Sequence, residues 1–270
     1  MENQFLHVAA VQMLPAAGDP RANVARASQL AREAVSRHGA EVIVFPECTL
    51  TGYTGDRALA ETVPGPSVNH FAELAHELRA YIIWGLHERE EDRYYNAAAL
   101  LSPDGKLIGK YRKVHINKYE DGMHWTNGDR FFVWPCEVRG IPFNLGLMIC
   151  YDREVPEAAR CLAMLGADLI AIPQATSCTC NIPIHRDQLR VRAYENEVWI
   201  AMANFAGPDF KGHSMTIQAD GTLIELGGQD EQILAAALDV NQLKELRRQG
   251  IYGRHHRQPK AYGPLLAPAE

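Results

Sequence analysis

Apolar residues fall along this chain in two alternating periodicities. Residues 6–13 form a short apolar run, closed by a turn through Pro15, Gly18, Asp19 and Pro20, and a run bounded by such breakers predicts a strand. Val24, Ala27, Ala31, Ala34 and Val35 then recur at helical spacing and stop at Gly39, a favoured residue at a helix C-terminus. A second strand is predicted over 42–45. After the turn Val63-Pro64-Gly65-Pro66, Ser67 is placed to cap a helix with the stripe Val68, Phe71, Leu74, Ala75 and Leu78. Residues 81–86 and 96–101 predict two more strands, with the charged stretch 87–93 between them as a solvated hairpin tip. Residues 143–149 and 168–173 predict another pair. Between them Pro156, bracketed by Glu154 and Glu157, opens a helix that carries Ala158, Ala159, Leu162 and Leu165 up to Gly166. Several of these runs are apolar at nearly every position, the mark of strands buried on both faces. Strand–helix–strand alternation of this kind predicts an α/β fold. Nothing resembles a linker, a fixed-period repeat or a low-complexity segment, so residues 1–270 read as one domain.

Composition narrows the class without naming a function. At 270 residues, 47% hydrophobic and 22% charged, the chain is an ordinary globular protein. A net charge of −6 argues against a nucleic-acid partner held on a basic surface. No apolar run approaches the roughly 20 residues that a helical membrane span needs. The lack of Lys or Arg before Arg21 argues against a secretory signal. Six cysteines in a chain of this length do not make a disulfide scaffold, so a reduced, cytoplasmic protein is predicted. No glycine-rich phosphate loop is present, and no organic cofactor is implied. Cys178-Thr179-Cys180 with His185 lacks the second ligand pair of a zinc site, so no metal is predicted. His255 and His256 sit in a basic, turn-rich tail and suit surface or subunit contacts.

Candidate chemistry gathers at strand ends. Cys150 follows the apolar run 143–149 and precedes the helix at Pro156. Open α/β sheets place ligands at that edge, and a helix N-terminus favours the nucleophilic thiolate. Cys150 stands either as a small buried hydrophobe or as a nucleophile. Glu47 ends the strand 42–45, where a carboxylate is costly unless used or paired. Lys113 follows the strand 96–101 and the turn Pro103-Asp104-Gly105. Glu47, Lys113 and Cys150 thus stand 66 and 37 residues apart, each after its own strand. A base, a cation and a sulfur nucleophile delivered to one sheet edge would make an acyl-transfer site.

Three segments carry a resemblance to a known family. FPECTLTGY (45–53), KYRKVH (110–115) and GLMICYDREVPE (146–157) resemble, in order and spacing, the glutamate, lysine and cysteine motifs of the nitrilase superfamily of carbon–nitrogen hydrolases. AAVQM (9–13), RVRAYENEVWIAMANFAG (190–207), FKGHSMTIQADGTLI (210–224) and the tail 247–262 extend the resemblance over nearly the whole length. It implies a four-layer αββα sandwich, a Glu47–Lys113–Cys150 catalytic set and a backbone oxyanion donor at Tyr151. It also implies a second acid in the aromatic-rich loop 115–134, where Glu120 is preferred by residue type and Asp121 by spacing. Tyr53, Tyr151, Arg153, Gln174 and Asn204 are the implied substrate-binding residues. The implied reaction cleaves a non-peptide carbon–nitrogen bond of a small amide or N-carbamoyl compound, with no cofactor. A nitrile substrate, or a binding protein that kept the fold, are the alternatives. Cys150-Tyr151-Asp152 resembles the amidase and carbamoylase branches, whereas true nitrilases typically have Cys-Trp-Glu. Arg153 is placed to grip a substrate carboxylate bidentately, or else to pair Glu154 or Glu157. The resemblance further implies a homodimer or larger homo-oligomer, with 247–270 as a C-terminal arm along a neighbouring subunit.

Overall fold

In the computed structural model of this chain, residues 4–177, 181–250 and 255–266 are described. Their strands build two sheets. The first holds β1 (Phe5–Gln12), β2 (Val42–Val44), β3 (Tyr81–Glu90), β4 (Arg93–Leu101), β5 (Leu107–Arg112) and β12 (Gln232–Asp239), in the order β12-β1-β2-β3-β4-β5. The second holds β6 (Val133–Val138), β7 (Ile141–Leu147), β8 (Leu169–Pro173), β9 (Trp199–Ala203), β10 (Met215–Ile217) and β11 (Leu223–Leu226), in the order β11-β10-β9-β8-β7-β6. Each sheet has a parallel centre, β1-β2-β3 in one and β7-β8-β9 in the other, with antiparallel flanks. Helices α1 (Pro20–His38) and α2 (Pro66–Leu78) cover the first sheet, while α3 (Pro156–Met164) and α4 (Ile182–Asn196) cover the second. This is the four-layer αββα sandwich that the resemblance implies.

Strand periodicity explains why the parallel runs are apolar throughout. Val42, Val44, Tyr81 and Ile83 point into the core between the sheets, facing Leu145, Leu147, Leu169 and Trp199. Ile43, Ile82 and Trp84, one residue out of phase, point the other way against α1 and α2. Ile170, Ile172 and Ile200 do the same beneath α3 and α4. A third apolar layer on each outer face thus removes the alternation that a one-sided strand would show. α5 (Val240–Gln249) inserts Val240 and Leu243 into the inter-sheet core, and its Arg247 guanidinium bonds Asp168 and the carbonyls of Ala167 and Glu197.

Two local expectations change. The charged stretch 87–93 is the outer end of the β3–β4 hairpin, which pairs from Ile82↔Leu101 to Glu90↔Arg93; residues 89–93 are its exposed tip, as expected, but His87 and Glu88 are buried strand. They hold as strand because Glu88, buried at its side chain, is neutralised by Lys110 and Arg112 from β5. Ser67 lies inside α2 rather than at its cap, which is Gly65, and the Glu61 carboxylate accepts the Ser67 N–H at 3.0 Å. The Cys178–Cys180 segment weighed as a metal site lies outside the described residues, as do Ile251, Tyr252 and the last four residues of the tail. The described tail residues lie beside α3 and α4 of the same chain, where Tyr262 and His256 border a cavity of about 380 Å³ with Glu157, Arg160 and Glu195.

Candidate active site

Glu47 follows β2 through Phe45-Pro46, and its backbone is fixed from both sheets. Phe45 N–H donates to Ile83 C=O on β3 at 2.9 Å, and Glu47 N–H donates to Gln174 C=O, just past β8, at 3.2 Å. This turn passes so close to β3 that only glycine fits opposite it: a Cβ on Gly85 would lie 2.3 Å from the Cys48 nitrogen. Lys113 leaves the end of β5, its N–H donating to Asn96 C=O at 2.8 Å. Both side chains are fully buried.

The Lys113 ammonium lies between two carboxylates, 2.8 Å from Glu47 Oε1 and 2.8 Å from Glu120 Oε2. Burial works to lower the Lys113 pKa, but Glu47, the Cys150 sulfur and Glu120 together outweigh it and hold it above the ordinary lysine range. Burial and then the Glu47 charge push the Glu120 carboxyl up, against the pull of Lys113. Asn96 on β4 donates from Nδ2 to Glu47 Oε1 at 2.7 Å and to Glu120 Oε1 at 3.2 Å. Glu47 Oε1 therefore receives two donors, while its Oε2 is buried with no hydrogen-bond partner among the described residues. The spacing reading had favoured Asp121, whose side chain lies outside the described residues. It is Glu120 that packs against Lys113.

Cys150 ends the run after β7 with φ at +43°, a left-handed backbone that a non-glycine residue adopts only under constraint. The constraint is Asp152. Its carboxylate accepts Ile149 N–H at 2.9 Å, Tyr111 O–H at 2.7 Å and both His115 N–H at 2.9 Å and His115 Nδ1 at 2.8 Å. Tyr111 and His115 flank Lys113, so one carboxylate fastens the cysteine turn to the lysine segment. The expected helix N-terminus is not adjacent: a 3₁₀ turn, Cys150–Glu154, separates the thiol from α3. The thiol pKa accordingly moves opposite to expectation, pushed up to about 12 by burial and then by Glu47, with Lys113, Arg153 and the Ala175 backbone N–H pulling it down. A protonated thiol needs a base before it can act as a nucleophile.

The remaining candidates surround this centre. Tyr53, also at positive φ, is mostly buried, and its phenol is pushed up by burial and then by the Glu47 charge, with Cys150 and Glu120 adding to it. Its ring meets Phe210 edge-on at 6.0 Å. Arg153 is buried, and its two terminal nitrogens are engaged, one with His185 Nδ1 at 2.6 Å and one with Glu154 at 3.1 Å. Burial and then the Arg153 charge lower the His185 pKa. Gln174 directs its Nε2 to Thr176 Oγ1, and its Oε1 has no hydrogen-bond partner among the described residues. Asn204 braces two loops, accepting Thr176 N–H at 2.9 Å and donating to Gly212 C=O at 2.7 Å. Tyr151 is 39% exposed. Asn96 and Asp152 were not singled out from the sequence; the one available signal was a polar residue inside the apolar run 94–101.

The profile of the family described as Carbon-nitrogen hydrolase matches residues 7–248. An (R)-stereoselective amidase of a Pseudomonas species is 32% identical over 252 residues, covering 90% of this chain and 88% of that protein. The omega-amidase NIT2 of Pongo abelii is 33% identical over 245 residues, covering 84% of this chain and 86% of its own. The crystal structure of Saccharomyces cerevisiae Nit3, described as a member of branch 10 of the nitrilase superfamily, superposes with a TM-score of 0.84 at 26% identity. It covers 94% of this chain and 97% of that one. A sandwich of this architecture, these relatives and a match of that length together establish that the chain belongs to the carbon–nitrogen hydrolases of the nitrilase superfamily, in their amidase-like branch.

Proposed function

We propose that the protein hydrolyses the carbon–nitrogen bond of a small amide or N-carbamoyl compound through a thioester on Cys150. Glu47 Oε2 takes the thiol proton as the sulfur bonds to the carbonyl carbon. The oxyanion that forms is met by the Lys113 ammonium and the Tyr151 backbone N–H. Glu47 then passes the proton to the leaving nitrogen, the C–N bond breaks, and ammonia or an amine departs. Glu47 next takes a proton from water, which attacks the thioester, and Cys150 leaves as the thiol that starts the next cycle. Glu120 holds Lys113 from the far side, and Tyr53, Gln174 and Asn204 shape the pocket. The observation that carries this reading is the buried, partnerless Glu47 Oε2 in a site whose thiol is held protonated.

Because both terminal nitrogens of Arg153 are engaged, a bidentate grip on a substrate carboxylate would have to displace Glu154. This favours neutral amides over N-carbamoyl amino acids. The test is mass spectrometry of the purified protein with a panel of both classes, quenched early. An acyl mass on the Cys150 peptide, and its loss in Cys150→Ala, is expected; turnover in Cys150→Ala would overturn the reading. The setting we propose is cytoplasmic, since Cys48, Cys136, Cys150 and Cys161 are free thiols. No helix among the described residues is long and apolar enough to cross a membrane. We also propose a homo-oligomer, supported by Leu165, Ile184 and Val191, which stand at least half exposed along α3 and α4.

A further inference from the structure

Asn96 has the features of a part built for the site. It stands in the middle of β4, buried, where an apolar residue would serve the sheet as well. Its backbone cannot shift, being paired with His87 on β3 and accepting the Lys113 N–H. Its side chain cannot turn over either. Carboxylates only accept hydrogen bonds, so the edge facing Glu47 and Glu120 must be the NH₂. The other edge, Oδ1, then faces the Cys48 thiol, 3.8 Å away, which can donate to it. The amide thus bridges the same two carboxylates that Lys113 bridges, from a different strand and without charge.

We infer that Asn96 is a positioning residue, whose amide holds Glu47 and Glu120 as a pair and leaves Glu47 Oε2 as the oxygen that moves protons. This rests on the reading of Glu47 as the base. The choice of residue follows from charge. A lysine or arginine here would give each carboxylate its own cation and tie down the base. An aspartate would set a third anion against two. Asparagine supplies donors and adds no charge, so Glu47 and Glu120 share one ammonium and Oε2 keeps its capacity to accept a proton. The titratable and charged groups around the amide are Glu47 and Cys48 after β2, Lys113 after β5, Glu120 in the turn Lys118–Met123, and His87 across the ladder. Burial pushes His87 down to about 4, so it is neutral across the working range and does not compete for the carboxylates.

The test is the pH profile of amide hydrolysis by Asn96→Leu, which keeps the volume and removes both donors. Without them the charged carboxylates are disfavoured, so the acid limb of kcat/KM should rise by about one pH unit. Loss of geometry at the base should lower kcat about 10²-fold, with KM little changed. Asn96→Ser, whose hydroxyl can serve one carboxylate at a time, should fall between and covers the case in which the leucine variant does not fold. A mere brace of the sheet would lower the melting temperature and leave the acid limb where it was; that result, or wild-type kcat in both variants, overturns the inference. Glu47→Gln is assayed alongside. Its inactivity with an unmoved Asn96 profile refutes the positioning role alone, whereas its full activity removes the base assignment and the inference with it.

Discussion

Replacing Lys113 by methionine separates what the ammonium does for the fold from what it does for the reaction. The side chain is fully buried and lies 2.8 Å from each of two carboxylates. Methionine fills the space and leaves two anions with Asn96 as their shared donor. Breaking a buried ion pair by removing one partner costs about 3–5 kcal/mol. For a chain of this size that lowers the melting temperature by roughly 10 °C. The pH dependence has a definite sign. In the wild type the Lys113 pKa is raised, so its contribution is present below the ordinary lysine value and is lost only as pH rises through the still higher folded value. Between pH 5 and 8 the lysine therefore contributes throughout. Glu120 already lies above its ordinary range and should rise further in the variant. A carboxyl raised in the folded state loses stability as pH rises from its ordinary value to its folded value, and the full cost is present above that. The melting deficit of Lys113→Met should accordingly be larger at pH 8 than at pH 5, read by scanning calorimetry. Turnover should fall by about 10²–10³, the loss expected for one oxyanion donor. Adding Glu120→Gln should restore most of the melting temperature at pH 8 and none of the turnover. Equal deficits at both pH values, or a double variant that regains activity, would refute the reasoning.

Other outcomes follow from the same geometry. Glu47→Gln should lower kcat by at least about 10³ through loss of the base in both half-reactions. Steady-state kinetics reads this; activity within a few-fold of the wild type would place the base elsewhere. Asp152→Asn keeps the shape but turns one carboxylate oxygen into a donor facing donors, so the variant should lose about 1–3 kcal/mol by urea denaturation together with most of its kcat. Retained activity there would show that the cysteine turn holds its shape unaided. Light scattering of the full chain should give more than one chain's mass, and Val191→Asp on α4 should reduce it; a monomer in both removes the oligomer.

The parts of this molecule legible in the sequence are those where a single residue's environment decides the outcome. Val42, Ile43 and Val44 had to be a strand covered on both faces, and so did Leu169, Ile170 and Ile172; the sheet order confirms it. Glu47 and Cys150 were visible because each ends such a segment, and Lys113 because it stands in the motif KYRKVH after the turn Pro103-Asp104-Gly105. The features that escaped depend on partners far along the chain. Glu88 looked like part of a solvated tip because its neutralising Lys110 and Arg112 belong to β5, a strand that the sequence reading did not single out. Asn96 carries no local mark beyond its polarity, since its meaning lies in carboxylates 49 and 24 residues away. The thiol's direction of shift was missed for the same reason. Position before a helix suggests activation, but burial and the Glu47 charge are properties of the assembled site.

The contact between Glu47 N–H and Gln174 C=O, and the hold of Asp152 on Tyr111 and His115, run from one sheet of the sandwich to the other. Base and cation are carried by the first sheet, sulfur by the second. The gap the reaction must cross is therefore the thickness of the inter-sheet core, set by how Ile83, Tyr111, Leu145 and Leu147 interleave. The sandwich works as a caliper whose jaws are the two sheets. A methylene added to or taken from that core changes the reach between sulfur and base before it changes whether the protein folds, so reactivity in this scaffold can be tuned from residues that never meet a substrate.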